Sequence, residues 1–396
     1  MAETTTNTTS DGKYLGIGAG TCGAVFQQSG TGTRLKVAVS DFWAEQLWNE
    51  YQVLTKVTRE FGKVAWLCEI DLRVSPAKGY IGRADAWWLE HGSRFPMDAR
   101  QDVLALERIL PLPRGIRDLL VDRYCPEGFR EEARQFRANE DCLARVYLGK
   151  RRPRRQEDGR RPAERFSLRN FNLCVDQMEE LGIDPVPYAL TMAKASAVVH
   201  WRLKCDARDI EFVLGSSPVG EGDEAWQVLN PDEIAKLPAR SSTLSGAVTS
   251  PVHSVGLTAA PMSSMGRREG QQFEPVEAWH AFRQPTVSFW MLDFNQVKQI
   301  EDPAARAESA ADAFFVNDPY FPKPLPEQPS DEHLWTTFKT AYLKTSKLLL
   351  ALGEFETEEL PNWGEDPELF ITKVLEKRKE RLGKVREAEA RLAGQA

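Results

Sequence analysis

Gly18-Ala19-Gly20-Thr21-Cys22-Gly23-Ala24-Val25 decides how the rest of the chain is read. It satisfies G-x-G-x-x-G-x-V, in which missing Cβ atoms let backbone amides approach a polyanion closely. Glycines also serve ordinary tight turns, so the flanks matter. A dinucleotide-binding fold places a helix directly after such glycines. Here Val25-Phe26-Gln27 and Leu35-Lys36-Val37-Ala38-Val39 read as strands instead. The glycines therefore belong to a hairpin.

Working outward, the next signals arrive in the order of the protein-kinase set. Lys36 lies on the strand after the hairpin. Glu50 follows on a helix marked by Leu47, Trp48, Tyr51, Leu54 and Val57 at helical spacing. Asp206-Ala207-Arg208-Asp209-Ile210-Glu211 puts Glu211 five positions after Asp206, and Leu292-Asp293-Phe294-Asn295 reads as D-F-G with Asn295 for Gly. The expectation is an α+β, kinase-like, two-lobed scaffold. Its smaller strand-rich N-terminal lobe, with the Gly-rich loop, spans 13–150. A basic loop spans 151–165, and the larger helical C-terminal lobe spans 166–396. Residues 1–12 read as a disordered lead-in, and the Ser/Thr/Gly/Pro-rich stretch 239–272 as a flexible insertion. Helices are expected near 172–181, 186–200, 303–315, 331–352 and 367–392, with strands at 210–214 and 287–294.

The departures from that set carry as much chemistry. His200 stands six positions before Asp206 with no H-R-D between them, and its apolar helix predicts a core histidine. Glu211 replaces a neutral amide by a carboxylate. Asp206, Asp209, Glu211 and Asp293 together suit a cation better than a phosphate. A guanidinium or ammonium group satisfies several carboxylates at once. Clustered carboxylates also raise one another's pKa, which yields a candidate base near neutrality. Asp206, Glu211 and Asp293 are the catalytic candidates. Gly18, Gly20, Cys22, Gly23, Lys36, Glu50, Asp209 and Asn295 are the substrate-binding ones. Cys22 reads either as a covalent acceptor or, more commonly for a free thiol, as a small packed residue. The residues alone leave two classes open beside any other: an ATP-dependent phosphotransferase acting on a small cationic substrate, and a non-catalytic pseudokinase.

Bulk properties narrow the setting. The 396 residues are 42% hydrophobic and 28% charged, with a net charge of −7. That balance excludes a protein whose whole surface coats nucleic acid. From Arg145 to Arg169, however, ten Arg/Lys stand against three acids. An acidic body with one basic arm predicts a polyanionic partner at the arm. The six cysteines form no C-x-x-C pair and no His pair has zinc-ligand spacing, so no metal site and no cofactor are expected. No membrane-length apolar run or basic-then-apolar leader is present, so a cytoplasmic location is expected.

Long strings then carry a resemblance over most of the chain. They are Gly18 to Val25, Arg108 to Pro113, Asp141 to Gly149, Phe166 to Phe171, Asp206 to Gly215, Leu292 to Gln296 and Phe314 to Tyr320. Through them the chain resembles a fungal family of unknown function, often labelled "zinc finger protein". That family includes the arginine-containing cyclodipeptide synthases of natural-product biosynthesis. The resemblance implies tRNA-dependent formation of a diketopiperazine from arginyl-tRNA and a second aminoacyl-tRNA, without ATP for the bond itself. It makes Lys150, Arg151, Arg152, Arg154, Arg155, Arg160 and Arg161 the candidate tRNA-binding residues.

Overall fold

The computed structural model describes residues 12–20, 23–28, 31–96, 100–152, 166–220, 282–356 and 367–393. The expected insertion at 239–272, Cys22, the arm residues Arg154, Arg155, Arg160 and Arg161, and all but Gly12 of the N-terminal lead-in lie outside them.

The Gly-rich stretch forms a hairpin: β1 (Tyr14–Ala19) pairs antiparallel with β2 (Gly23–Gln28), and β2 with β3 (Thr33–Ala38). With β5 (Ala77–Ile81) and β6 (Val103–Glu107) they make an antiparallel sheet in the order β1-β2-β3-β6-β5. Side chains alternate along β3. Leu35 and Val37 join Phe26, Ile81, Val103 and Ala105 in an apolar cluster on one face, which leaves Arg34 and Lys36 for the other. Helix α1 (Asp41–Val64) crosses that second face. It buries Leu47, Tyr51, Leu54, Val57 and Phe61 at helical spacing in the main core. Glu50 is buried on the same helix.

The second half is helical around another sheet, ordered β4-β10-β9-β7-β8. Its strands are β4 (Arg73–Val74), β7 (Ala144–Tyr147), β8 (Phe171–Cys174), β9 (Glu211–Gly220) and β10 (Phe282–Leu292). After the short α2 (Trp87–His91), α3 (Arg114–Tyr124) and α4 (Arg130–Gln135) come α5 (Val175–Glu180), α6 (Val186–Trp201), α7 (Arg306–Val316), α8 (Glu332–Glu356) and α9 (Pro367–Ala393). Helix α6 is apolar on all sides and packs against α8, as a central core helix should. Among the described residues no helix is long and apolar enough to cross a membrane. The molecule is thus α+β, with a strand-rich N-terminal region and a helical C-terminal region.

Two expectations need correction. The first lobe does not run to residue 150, because β7 pairs with β8 and β9 in the second sheet. The helix expected from 172 begins only at Val175, after strand β8. Both errors have one cause: strand pairing with distant segments leaves no local periodic mark.

The segment 108–113 joins the two halves. Leu110 and Ser216 exchange backbone hydrogen bonds of 3.1 and 2.7 Å, which ties this connection to β9. Gly215 makes the approach feasible. A Cβ there would lie 2.5 Å from Ile109 Cγ2 and 3.0 Å from the Leu110 carbonyl oxygen. Gly215→Ala is expected to cost roughly 1–3 kcal/mol as an overpacking change. Urea unfolding measures it, and a wild-type midpoint would contradict this account of the joint.

Candidate functional site

A cleft of about 410 Å³ lies between the glycine hairpin and the second sheet. Lys36 projects into it from β3. Its Nζ donates to Glu50 Oε2 at 2.7 Å and to Asp293 Oδ1 at 2.9 Å. Burial alone would depress the Lys36 pKa, but the two carboxylates outweigh it and hold the ammonium above its ordinary range. Three residues separated by up to 257 positions thus meet in one ion-paired group.

The antiparallel pair of β9 and β10 sets the opposite wall. Its register places Glu211 beside Leu292, so Asp293 begins where the strand ends. Asp293 adopts a left-handed backbone, φ 65°, which turns the chain out of β10. Arg145 lies on β7, paired with Val213 of β9, and reaches along that face to Glu211 at 2.7 Å. Even so, Glu211 is pushed up to about 7. Burial is the main cause, Arg145 opposes it, and the carboxylates of Asp293 and Asp209 add to the rise.

Asp209 also lines the cleft. Its Oδ2 accepts from Gln296 Nε2 at 2.5 Å. Asn317 fixes the loop below by accepting the Asp209 N–H at 2.6 Å and donating to the Ala207 carbonyl at 2.8 Å. Burial raises the Asp209 pKa, and Asp293 adds to the shift.

Asp206 does not line the cleft. It is buried, and its Oδ1 accepts the backbone N–H groups of Arg208 (3.0 Å) and Lys298 (2.9 Å). This is an Asx-type turn that shapes the loop. Left-handed Ala207 and Asp209, φ 58° and 62°, rotate the chain between the two aspartates. Spacing counts positions, whereas these dihedrals decide which carboxylate faces the cleft. Asn295 is also buried outside the lining, and its carbonyl accepts from Asn49 Nδ2. Gly18, Gly20 and Gly23 line the cleft, and Gly20 N–H closes the hairpin turn on the Gly23 carbonyl at 2.9 Å. His200 is a core residue. Burial lowers its pKa to about 3, and its Nδ1 shares a 2.9 Å hydrogen bond with the Tyr342 hydroxyl.

The described part of the basic arm is largely engaged within the protein. Arg151 pairs with Glu179 and Asp331, and Arg152 with Asp176 and Glu180. Lys150 is exposed. Among the polar side chains that sequence reasoning left out of the site are Arg34, Arg108, Asp141, Arg145, Arg169 and Gln296. Arg34 was signalled by its place two residues before Lys36 on one strand face. Among the described residues, no group of three or more His, Cys, Asp or Glu side chains is arranged to hold a metal ion. Cys68, Cys125, Cys142, Cys174 and Cys205 are buried free thiols.

Residues 289–353 match the model of a family described as "Zinc finger protein". The matched stretch runs from β10 into α8 and includes Asp293, Gln296 and Asn317. No curated protein and no solved structure matches the chain.

Proposed function

We propose that this chain is an aminoacyltransferase on a kinase-like scaffold, joining arginine from arginyl-tRNA to a second aminoacyl group to give a diketopiperazine. The family strings point to this reaction, and the observation that carries it to the site is Glu211, a cleft carboxyl with a pKa of about 7. A base of that strength matches the α-ammonium of an aminoacyl ester, whose pKa is lower than that of a side-chain amine. Glu211 takes the proton, and the freed amine attacks the ester carbon of the other substrate. The C–N bond forms and the C–O bond to the ribose breaks; the second proton lost by the attacking nitrogen passes to the departing ribose oxygen, and the first is released from Glu211 to solvent. Repeating the exchange within the dipeptidyl ester closes the ring. The ester is already activated, so the bond needs no ATP. Asp209 Oδ1 and Asp293 Oδ2 lie outside the hydrogen bonds described above and are the candidate acceptors for the arginine guanidinium.

The kinase-like part of the proposal is supported by the order β1-β2-β3-β6-β5, the glycine hairpin, and the Lys36–Glu50–Asp293 contacts. Those contacts favour a second reading, ATP-dependent phosphotransfer to a small cationic substrate.

The test supplies purified protein with pre-charged aminoacyl-tRNAs, including arginyl-tRNA, without ATP, and searches for new masses. An arginine-containing diketopiperazine is the expected product. Its absence, with phosphate transfer from Mg-ATP in a parallel reaction, would replace this proposal with the phosphotransferase. Silence in both reactions would leave a binding protein.

A further inference from the structure

The charges lining the cleft are not evenly matched. Lys36 is held by Glu50 and Asp293, Arg145 by Glu211, and Arg108 by Asp141 at 3.0 Å. Arg34 and Arg169 line the same cleft and enter no ion pair among the described residues. Arg34 is only partly exposed, and its Nε–H is buried without an acceptor. The Nε–H groups of Arg108 and Arg145 are in the same condition. Buried donors are usually satisfied in folded proteins, and although the Arg117 Nε–H outside the cleft is in the same condition, three such donors belong to residues lining this one cavity. Burial lowers the Arg34 pKa, opposed by the carboxylates of Glu50, Asp293, Glu107 and Glu211. A guanidinium nevertheless stays charged at any physiological pH. Arg169 is exposed at the cleft, and its Nη2 lies 3.9 Å from where a Cβ on Gly18 would sit. It therefore reaches over the glycine hairpin.

We propose that Arg34, Arg108 and Arg169 form an oxyanion subsite that takes a phosphate group carried by the substrate. Two guanidinium groups without a carboxylate partner match the charge of a phosphate or of successive phosphodiesters, which a single carboxylate does not. The fork of N–H donors fits phosphate oxygens two at a time. A small turn of each side chain on binding gives the orphaned donors acceptors. The subsite rests on the reading above only for the source of that phosphate. In the synthase it is a phosphodiester at the tRNA acceptor end, and in a phosphotransferase it is the nucleotide polyphosphate.

Calorimetric titration with pyrophosphate tests the subsite, using the full chain and the variants Arg34→Met and Arg169→Gln. Each variant is expected to bind about tenfold or more weakly. Arg169 is exposed, so its variant stays informative if Arg34→Met fails to fold. No binding to wild type, or wild-type affinity in Arg169→Gln, would overturn the subsite. Competition by a CCA trinucleotide carrying its phosphodiesters assigns the phosphate to RNA, whereas competition by Mg-ATP alone assigns it to a nucleotide. No aminoacyl group enters this assay, so its failure stays separate from failure to form diketopiperazine.

Discussion

Glu211→Gln is expected to reduce product formation by about 10²–10⁴-fold, the usual contribution of a general base, while making the protein more stable above pH 7. The opposite signs are the point. Gln imitates the protonated carboxyl in shape but takes up no proton, so it removes the base and keeps the packing. The stability gain follows from proton linkage. Glu211 titrates at about 7 in the fold, against about 4.3 when unfolded. Between those values the folded state holds a proton that the unfolded state has released. The contribution of the site is therefore fully present below about pH 4.3 and is lost as pH rises through 7. The variant does not suffer that loss, and the gain is on the order of 1–3 kcal/mol at pH 8, vanishing near pH 4. Wild-type activity should rise with pH through about 7, because the base must be ionised to act. Rates and thermal melts across pH 4–8 measure both arms. A variant that keeps its activity would remove Glu211 from the chemistry. A variant less stable than wild type at pH 8 would mean that the Arg145 ion pair dominates.

Lys36→Met is expected to destabilise the fold by about 3–5 kcal/mol, because it strands the buried carboxylate of Glu50. Glu50 is only 2% exposed, so water cannot replace the lost ammonium. Glu50→Gln should cost less, since Lys36 keeps Asp293 as its partner. In the double variant only the partly exposed Asp293 carboxylate loses its partner, and much of the loss should be recovered. Buried pairs behave this way: breaking one is costly, whereas replacing both members is nearly neutral. A double-mutant cycle in urea measures the coupling, which should exceed about 1 kcal/mol. Strict additivity of the two single changes would mean that the contact contributes nothing to the fold.

Much of the architecture was legible beforehand because it is local. The apolar spacing Leu47, Tyr51, Leu54, Val57 marks α1, and the glycine-flanked alternation marks the β1–β2 hairpin. The unbroken apolar run around Met192 and Val198 marks a buried α6. Motif order also anticipated that Glu50 would pair with Lys36, whereas the contact of Asp293 with the same ammonium came only with the fold. Less legible was which loop carboxylate faces the cleft. Asp206 and Asp209 differ by three positions, yet one caps backbone amides and the other lines the cavity.

The sequence by itself determined the helices, the hairpin, and the acids and lysine available for chemistry, because each depends on neighbours within a few residues. Tertiary structure alone decided the protonation and pairing of those groups. Glu211 is pushed up to about 7 because the fold buries it and brings the carboxylates of Asp293 and Asp209 near, an effect that Arg145 on β7 opposes. Arg145, Arg151 and Arg152 read as one basic arm, but they separate into internal ion pairs once Glu211, Asp331 and Asp176 arrive from distant segments. Charge is a property of composition, whereas its partner and its desolvation are properties of the fold.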